Sequence, residues 1–198
     1  MNNSAYLLVL SLFGCHHEPS LERVEAVPWQ QAPVAKDVRL LLNAKGSLGP
    51  TFLTRPFAGD LMTVYVVDLP DRVRTMNEHD REALHLDADG LDALARKNLQ
   101  AAYPAVHMVA VDRSPILTNE AADDYDAALL ALPSLWKPLA ERLGSLVVAV
   151  PARNRVLASK KEDVDKLKAA TDEAYAREDH NLSRTLFEWS PSGWKPLR

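Results

Sequence analysis

Four places along the chain hold residues whose types and spacing could support chemistry, and the first is the only cysteine. Cys15 closes an apolar run from Ala5 to Gly14 through Leu12-Phe13-Gly14-Cys15. A thiol set after a small residue at the end of such a run is placed for lipid attachment after signal cleavage rather than for nucleophilic attack. Ser134-Leu135-Trp136-Lys137 has the Ser-x-x-Lys spacing of an acylating serine, but its companion Ser-Asp-Asn and Lys-Thr-Gly elements are missing and Pro138 follows at once. Ser134 therefore reads as a helix N-cap. Asp87, Asp89 and Asp92 have the look of a calcium loop, yet Gly90 comes too early and Asn98 stands where a bidentate Glu is needed. Helix capping by Asp87, with acids at the positive helix end, accounts for them. The fourth place is Asp68, at the end of an apolar run, with Arg153 and Asn154 just past Pro151. If their strands are neighbours, Asp68 and Arg153 meet, either as an ion pair or in a cleft.

No metal and no cofactor is expected. His79, His85, His107 and His180 fall on different elements without ligand spacing, and His16-His17 beside Cys15 cannot easily converge on one ion. Gly46 and Gly49 are not followed by the Lys-Ser/Thr of a phosphate-cradling loop. Asp123, Asp124 and Asp126 read as a solvated turn.

Length and charge bound the rest. The chain has 198 residues and a formal net charge of −4, which suits one domain and gives no basic face for nucleic acid. The basic stretch from Arg153 to Lys161 is interrupted by Val156-Leu157-Ala158, as in a solvated strand edge and helix start. The apolar run before Cys15 is shorter than the roughly 20 residues of a membrane span. Its Leu12-Phe13-Gly14-Cys15 ending resembles a bacterial lipobox, although residues 1–4 lack a basic side chain and Phe13 is bulky. The expected organisation is a signal over 1–14, a tether over 15–33 and a folded domain over 34–198. The alternative is that Tyr6–Phe13 is a buried strand of a cytosolic protein. Trp29, Trp136, Trp189 and Trp194 are candidate binding anchors, with Trp136 and Trp189 equally suited to a core.

The elements that would position these residues follow from periodicity. A short helix is expected at Leu21–Glu25, and strands at Val38–Leu42 and Leu61–Asp68, the second rich in β-branched residues. Thr75 and Glu78 fit a capping box for a helix ending near Leu84. Asp87 opens a longer helix, Ala88–Ala102, with Leu91, Leu94, Ala95, Leu99 and Ala102 on one face. Strands are expected at Val106–Val111, from Ile116, and at Leu146–Val150 up to Pro151, while Tyr125–Leu132 suits strand or helix and is read as strand because Asp123-Asp124 behave as a turn. Helices are expected at Ser134–Leu143, closed by Gly144, and at Lys161–Arg177; a hairpin of Leu182–Trp189 and Trp194–Leu197 ends the chain. This order predicts an α+β fold, a mainly antiparallel sheet carrying three to four helices. A strand–helix–strand–strand unit occurring twice, around Leu61–Leu117 and Leu146–Leu197, is a topological possibility.

The segment from Ala58 to Ser159 resembles the bacterial YtpQ-like proteins, domain-of-unknown-function family 1444. The resemblance rests on Ala58-Gly59-Asp60-Leu61 with Tyr65–Asp68, Leu84-His85-Leu86 with Leu94–Leu99, Tyr125–Leu130 with Trp136, and Val147–Asn154, in that order. It implies an α+β domain and no established activity. Asn154 stands where the family pattern has an aspartate after the arginine. Together these readings predict a protein of the bacterial envelope, joined to the membrane by lipid on Cys15, whose domain binds a partner without catalysis. Asp68, Arg153, Asn154, Trp29 and Trp194 are its candidate binding residues. The competing readings are a cytosolic accessory protein of the same family and a hydrolase with an Asp68/Arg153 cleft.

Overall fold

Val38-Arg39-Leu40-Leu41-Leu42 becomes, with Asn43 and Ala44, the first strand of the computed structural model, which describes residues 32–111, 114–120 and 123–197. Cys15, Trp29, the apolar run before Cys15 and the expected helix at Leu21–Glu25 lie outside the described residues. Strand β1 (Val38–Ala44) pairs antiparallel along its whole length with β3 (Leu61–Leu69). Two strands not foreseen in the sequence, β2 (Thr54–Pro56) and β4 (Arg72–Thr75), pair with β3 at its two ends. Alternation along this register sets Arg39, Leu41, Val64, Val66 and Asp68 on one face, and Leu40, Thr63, Tyr65 and Val67 on the other. Residues 61 and 63–67 of β3 are all buried, so both faces of this small sheet are covered.

Helix α1 (Glu78–Ala83) is short, as expected, but its capping box is Asn77 with Asp80 rather than Thr75 with Glu78. Thr75 is the last residue of β4. The Asp80 carboxylate, 4% exposed, accepts the Asn77 N–H at 3.0 Å and both terminal nitrogens of Arg74 at 2.8 and 2.9 Å. The box is thereby joined to an ion pair from β4, which the exposed Glu78 could not supply. Helix α2 (Ala88–Ala102) keeps its predicted bounds. Asp87 caps it through Gly90 N–H at 2.7 Å, and Leu91, Ala95 and Leu99 are buried while Ala102 is exposed. Asn98 ties this helix to the start of β1 by donating to the carbonyls of Ala35 and Val38 at 2.7 and 2.8 Å.

The second sheet has six strands in the order β10-β9-β7-β8-β6-β5, all pairs antiparallel. They are β5 (Met108–Ala110), β6 (Leu117–Asn119), β7 (Val147–Ala152), β8 (Arg155–Ser159), β9 (Leu186–Ser190) and β10 (Gly193–Pro196). The fold is α+β, but with two sheets where one was expected. The proposed repeat fails, because β3 belongs to the first sheet and β5 and β6 to the second.

Three further expectations give way to packing. Residues Ala127–Ala131, read as part of a strand, form a 3₁₀ helix whose five residues are all buried; apolar burial on every side erases the period that separates helix from strand. Strand β7 continues through Pro151 to Ala152, and its register with β8 shifts between Ala149 and Ala152, a bulge that accommodates the missing N–H. The stretch 155–159 is not a solvated edge: β8 lies between β7 and β6 and buries Val156–Ser159. Helix α3 (Pro133–Leu143) begins on Pro133, so Ser134 sits inside its first turn and caps nothing. Its C-cap is Gly144 at φ 76°, as expected.

Helix α4 (Val164–Arg177) covers one face of the second sheet, where Leu167 packs with Ile116, Val147, Ala149, Leu157 and Leu186. The other face, through Val148, Val150, Val156, Ala158 and Phe187, joins the main core with the first sheet, α2 and α3. Trp136 and Trp194 meet edge to face at 5.5 Å in that core, their indole N–H groups donating to the carbonyls of Leu129 and Leu130. Trp194 is therefore not an exposed anchor, since it is 8% exposed and hydrogen-bonded internally.

Candidate functional site

The candidate residues Asp68 and Arg153 do not meet as neighbouring strands. Asp68 lies on β3 and Arg153 in the β7–β8 turn of the other sheet. The cation on Asp68 is Arg39, across the same sheet face, at 2.7 Å. The segment 123–127 bridges the two places. From it Tyr125 reaches back, its ring 5.2 Å from the Arg39 guanidinium and its buried hydroxyl beside the Asp68 carboxylate without a well-formed hydrogen bond. In the other direction Ala127 N–H donates to the Arg153 carbonyl at 2.9 Å.

Asn119 at the end of β6 completes this joint. Its amide donates to Asp126 and to the Asn154 carbonyl, and its oxygen accepts Val156 N–H at 3.0 Å. The Asn154 contact uses the backbone, so an aspartate there would not be needed for it. Asp123 accepts from Tyr103 and from Tyr125 N–H, both at 2.7 Å. Burial, followed by the neighbouring carboxylates, raises the phenols of Tyr103 and Tyr125 above their ordinary range. Asp126, expected in a solvated turn, is buried. Burial and the charge of Asp123 push its pKa up to about 6, against the pull of the Asp123 N–H and Arg155.

A second polar group lies between β2 and α2. Asp92 accepts Tyr65 O–H at 2.9 Å and Arg96 Nε at 2.6 Å, and Arg96 also donates to the Ala131 carbonyl. Burial raises the Tyr65 phenol, with the Asp92 charge adding to it. Burial also pushes Asp92 up, but Arg96, Tyr65 and Arg55 outweigh it and leave that carboxyl below its usual range. Arg55 crosses above to Asp89 at 2.9 Å, between hollows of about 380 and 390 Å³ that both use it as a wall. The acids here are held as ion pairs.

A trough of about 570 Å³ opens between β5 and α3. Val106, Met108, Leu135 and Leu139 supply apolar lining, and His107, Glu120 and Arg142 supply charge or polarity. Arg142 makes no ion pair among the described residues. Ser134 and Pro138 both line the wall, and Pro138 has no N–H to offer the Ser134 carbonyl one helical turn earlier. Sequence reasoning read Ser134 as a helix N-cap and His107 as a histidine without ligand spacing, and missed the trough.

The motifs behind the family resemblance fall at joints of the fold. Asp60 accepts from Ser183 at 2.8 Å, Asn98 holds β1, Asp126 binds the joint, and Trp136 fills the core. No known family model, curated protein or solved structure matches the chain.

Proposed function

We propose that this chain is a lipid-tethered protein of the bacterial envelope whose α+β domain binds another macromolecule without catalysis. One observation supports the binding role: the trough beside β5 keeps Arg142 without an ion-pair partner among the described residues, whereas Asp68, Asp92 and Asp126 are engaged within the fold. A general acid or base needs a proton within reach of substrate. Asp68, Asp92 and Asp126 instead hold Arg39, Arg96 and Asn119, which suits fixed structure. The tether rests on the apolar run that ends at Cys15. The resemblance to YtpQ-like proteins is consistent with a module that carries no established activity.

Fatty-acid labelling of the expressed chain, wild type beside Cys15→Ala, tests the tether. The expected result is label on the wild type, absent from the variant, with an intact mass that begins at Cys15. An unlabelled chain retaining Met1 would overturn the tether and restore the cytosolic reading, with Tyr6–Phe13 part of the folded protein.

A further inference from the structure

We propose that the trough between β5 and α3 receives an extended peptide segment of another protein that sets a carboxylate against Arg142, added as a seventh strand at the edge of the six-stranded sheet. This deepens the binding role proposed above and rests on it. Strand β5 ends the sheet order, and only β6 pairs with it among the described residues. Glu120 N–H donates to the His107 carbonyl, and Val111 N–H to the Ile116 carbonyl. In an antiparallel ladder the bonded residues alternate, so 107, 109 and 111 face β6. The N–H and C=O groups of Met108 and Ala110 therefore point away from it, along the open edge. Edge groups of this kind are a template for a further strand.

The surroundings select what that strand carries. Met108, Val106, Leu135 and Leu139 line the trough, so the side chains that an incoming strand sets on the Met108 face, every second one, meet apolar surface. The Glu120 N–H is bound to the His107 carbonyl, and both the Glu120 carboxylate on the strand side and Arg142 on the α3 wall stand without an ion-pair partner among the described residues. A guanidinium in that position favours a carboxylate, which it can hold through two parallel hydrogen bonds.

The test is selection of a phage-displayed random heptapeptide library on the full chain in detergent, with a photo-crosslinker at position 109 of the full chain expressed in cells as the companion experiment. The expected result is enrichment of peptides that alternate apolar with polar residues and hold an Asp or Glu at one recurrent polar position. Their binding should fall at least about tenfold in Arg142→Glu, which reverses the charge, and in Ala110→Pro, which removes one outward donor and leaves the β6 ladder intact. Arg142 is exposed, so Arg142→Glu reads the site even if the proline variant misfolds. No enrichment, or enriched peptides indifferent to Arg142→Glu, would overturn the proposal. Crosslinking to another macromolecule without peptide enrichment overturns this inference and leaves the binding role standing. Crosslinking only to a second copy of the chain overturns it in favour of self-association. No enrichment and no crosslink removes both readings.

Discussion

The joint around Asp123–Asp126 and the trough beside β5 use the same kinds of residue, and they differ in how many of their polar groups are already spent. At the joint, Asp126 binds Asn119 and the Asp123 N–H, Asp123 binds Tyr103 and the Tyr125 N–H, and Arg39 binds Asp68. At the trough, Arg142 and the outward edge of β5 have no partner among the described residues. Desolvated polar groups must be paired where they are buried, whereas exposed ones can wait for a ligand without cost. The lesson is that perturbed protonation marks the structural joint here, and the open surface is marked by unspent hydrogen-bonding capacity.

The largest effect should come from emptying the joint. Tyr125 is 5% exposed and carries contacts to Tyr103 and Arg39. Tyr125→Ala should cost about 3–5 kcal/mol in a urea titration, the usual range for losing a buried aromatic side chain. Tyr125→Phe keeps the ring and removes a hydroxyl that has no well-formed hydrogen bond, so it should cost under about 1 kcal/mol. Equal losses in the two variants would mean that the hydroxyl, through Asp68, holds the sheets together.

Next in size is the pH dependence of Asp126. Its folded pKa of about 6 lies above the value of about 3.9 for an unfolded chain, so the native state binds this proton more tightly. Below about pH 4 both states are protonated and the penalty is absent. As pH rises towards and past 6 the buried charge appears, and native stability falls by roughly 2–3 kcal/mol, then levels off. Asp126→Asn should abolish that fall, so the difference between variant and wild-type stability should grow from pH 4 to pH 7. A difference that stays flat would place Asp126 in water.

What could be read from the sequence divides along the same line. Helix α2 was legible to the residue, because Asp87 caps it and Leu91, Ala95 and Leu99 repeat at the helical step. Strands β1 and β3 were legible as branched apolar runs. Strands β2 and β4 were not: Thr54–Pro56 is three exposed residues with a proline, and its pairing is dictated by β3. Asp68 was singled out with Arg153 as its partner, whereas the actual partner Arg39 sits in an apolar run, where a lone cation should itself have announced an acid across the sheet. Asp126 looked solvated because two other acids flank it, and only tertiary burial separates it from Asp124. The trough depends on where a strand edge and a helix wall end up, which no local spacing records.

A smaller effect should test whether joints are also enforced by backbone shape. Gly59 turns between β2 and β3 at φ 56°, and a Cβ there would lie 3.1 Å from Pro196 Cγ and 3.2 Å from Phe187 Cε1. Gly59→Ala should cost about 1–2 kcal/mol, combining the left-handed backbone with crowding against the β9–β10 hairpin. Thermal melting of this variant beside Gly46→Ala separates the two terms, since Gly46 shares a positive φ of 81° but has open space around it.

The smallest expected effect carries the sharpest contrast. Arg142 is exposed on the last turn of α3, and the described residues give it no ion pair that its loss would break. Its charge favours the helix C-terminus only slightly, by a few tenths of a kcal/mol at an exposed site. Arg142→Ala should therefore shift unfolding by no more than about 0.5 kcal/mol, the normal range for a surface position without special contacts. A larger loss would mean that Arg142 is already engaged within the protein, and the trough would then be as closed as the joint. Unchanged stability together with lost peptide binding would separate the two regions cleanly: polar groups at the joint hold the chain together, and those at the trough are held in reserve for a partner.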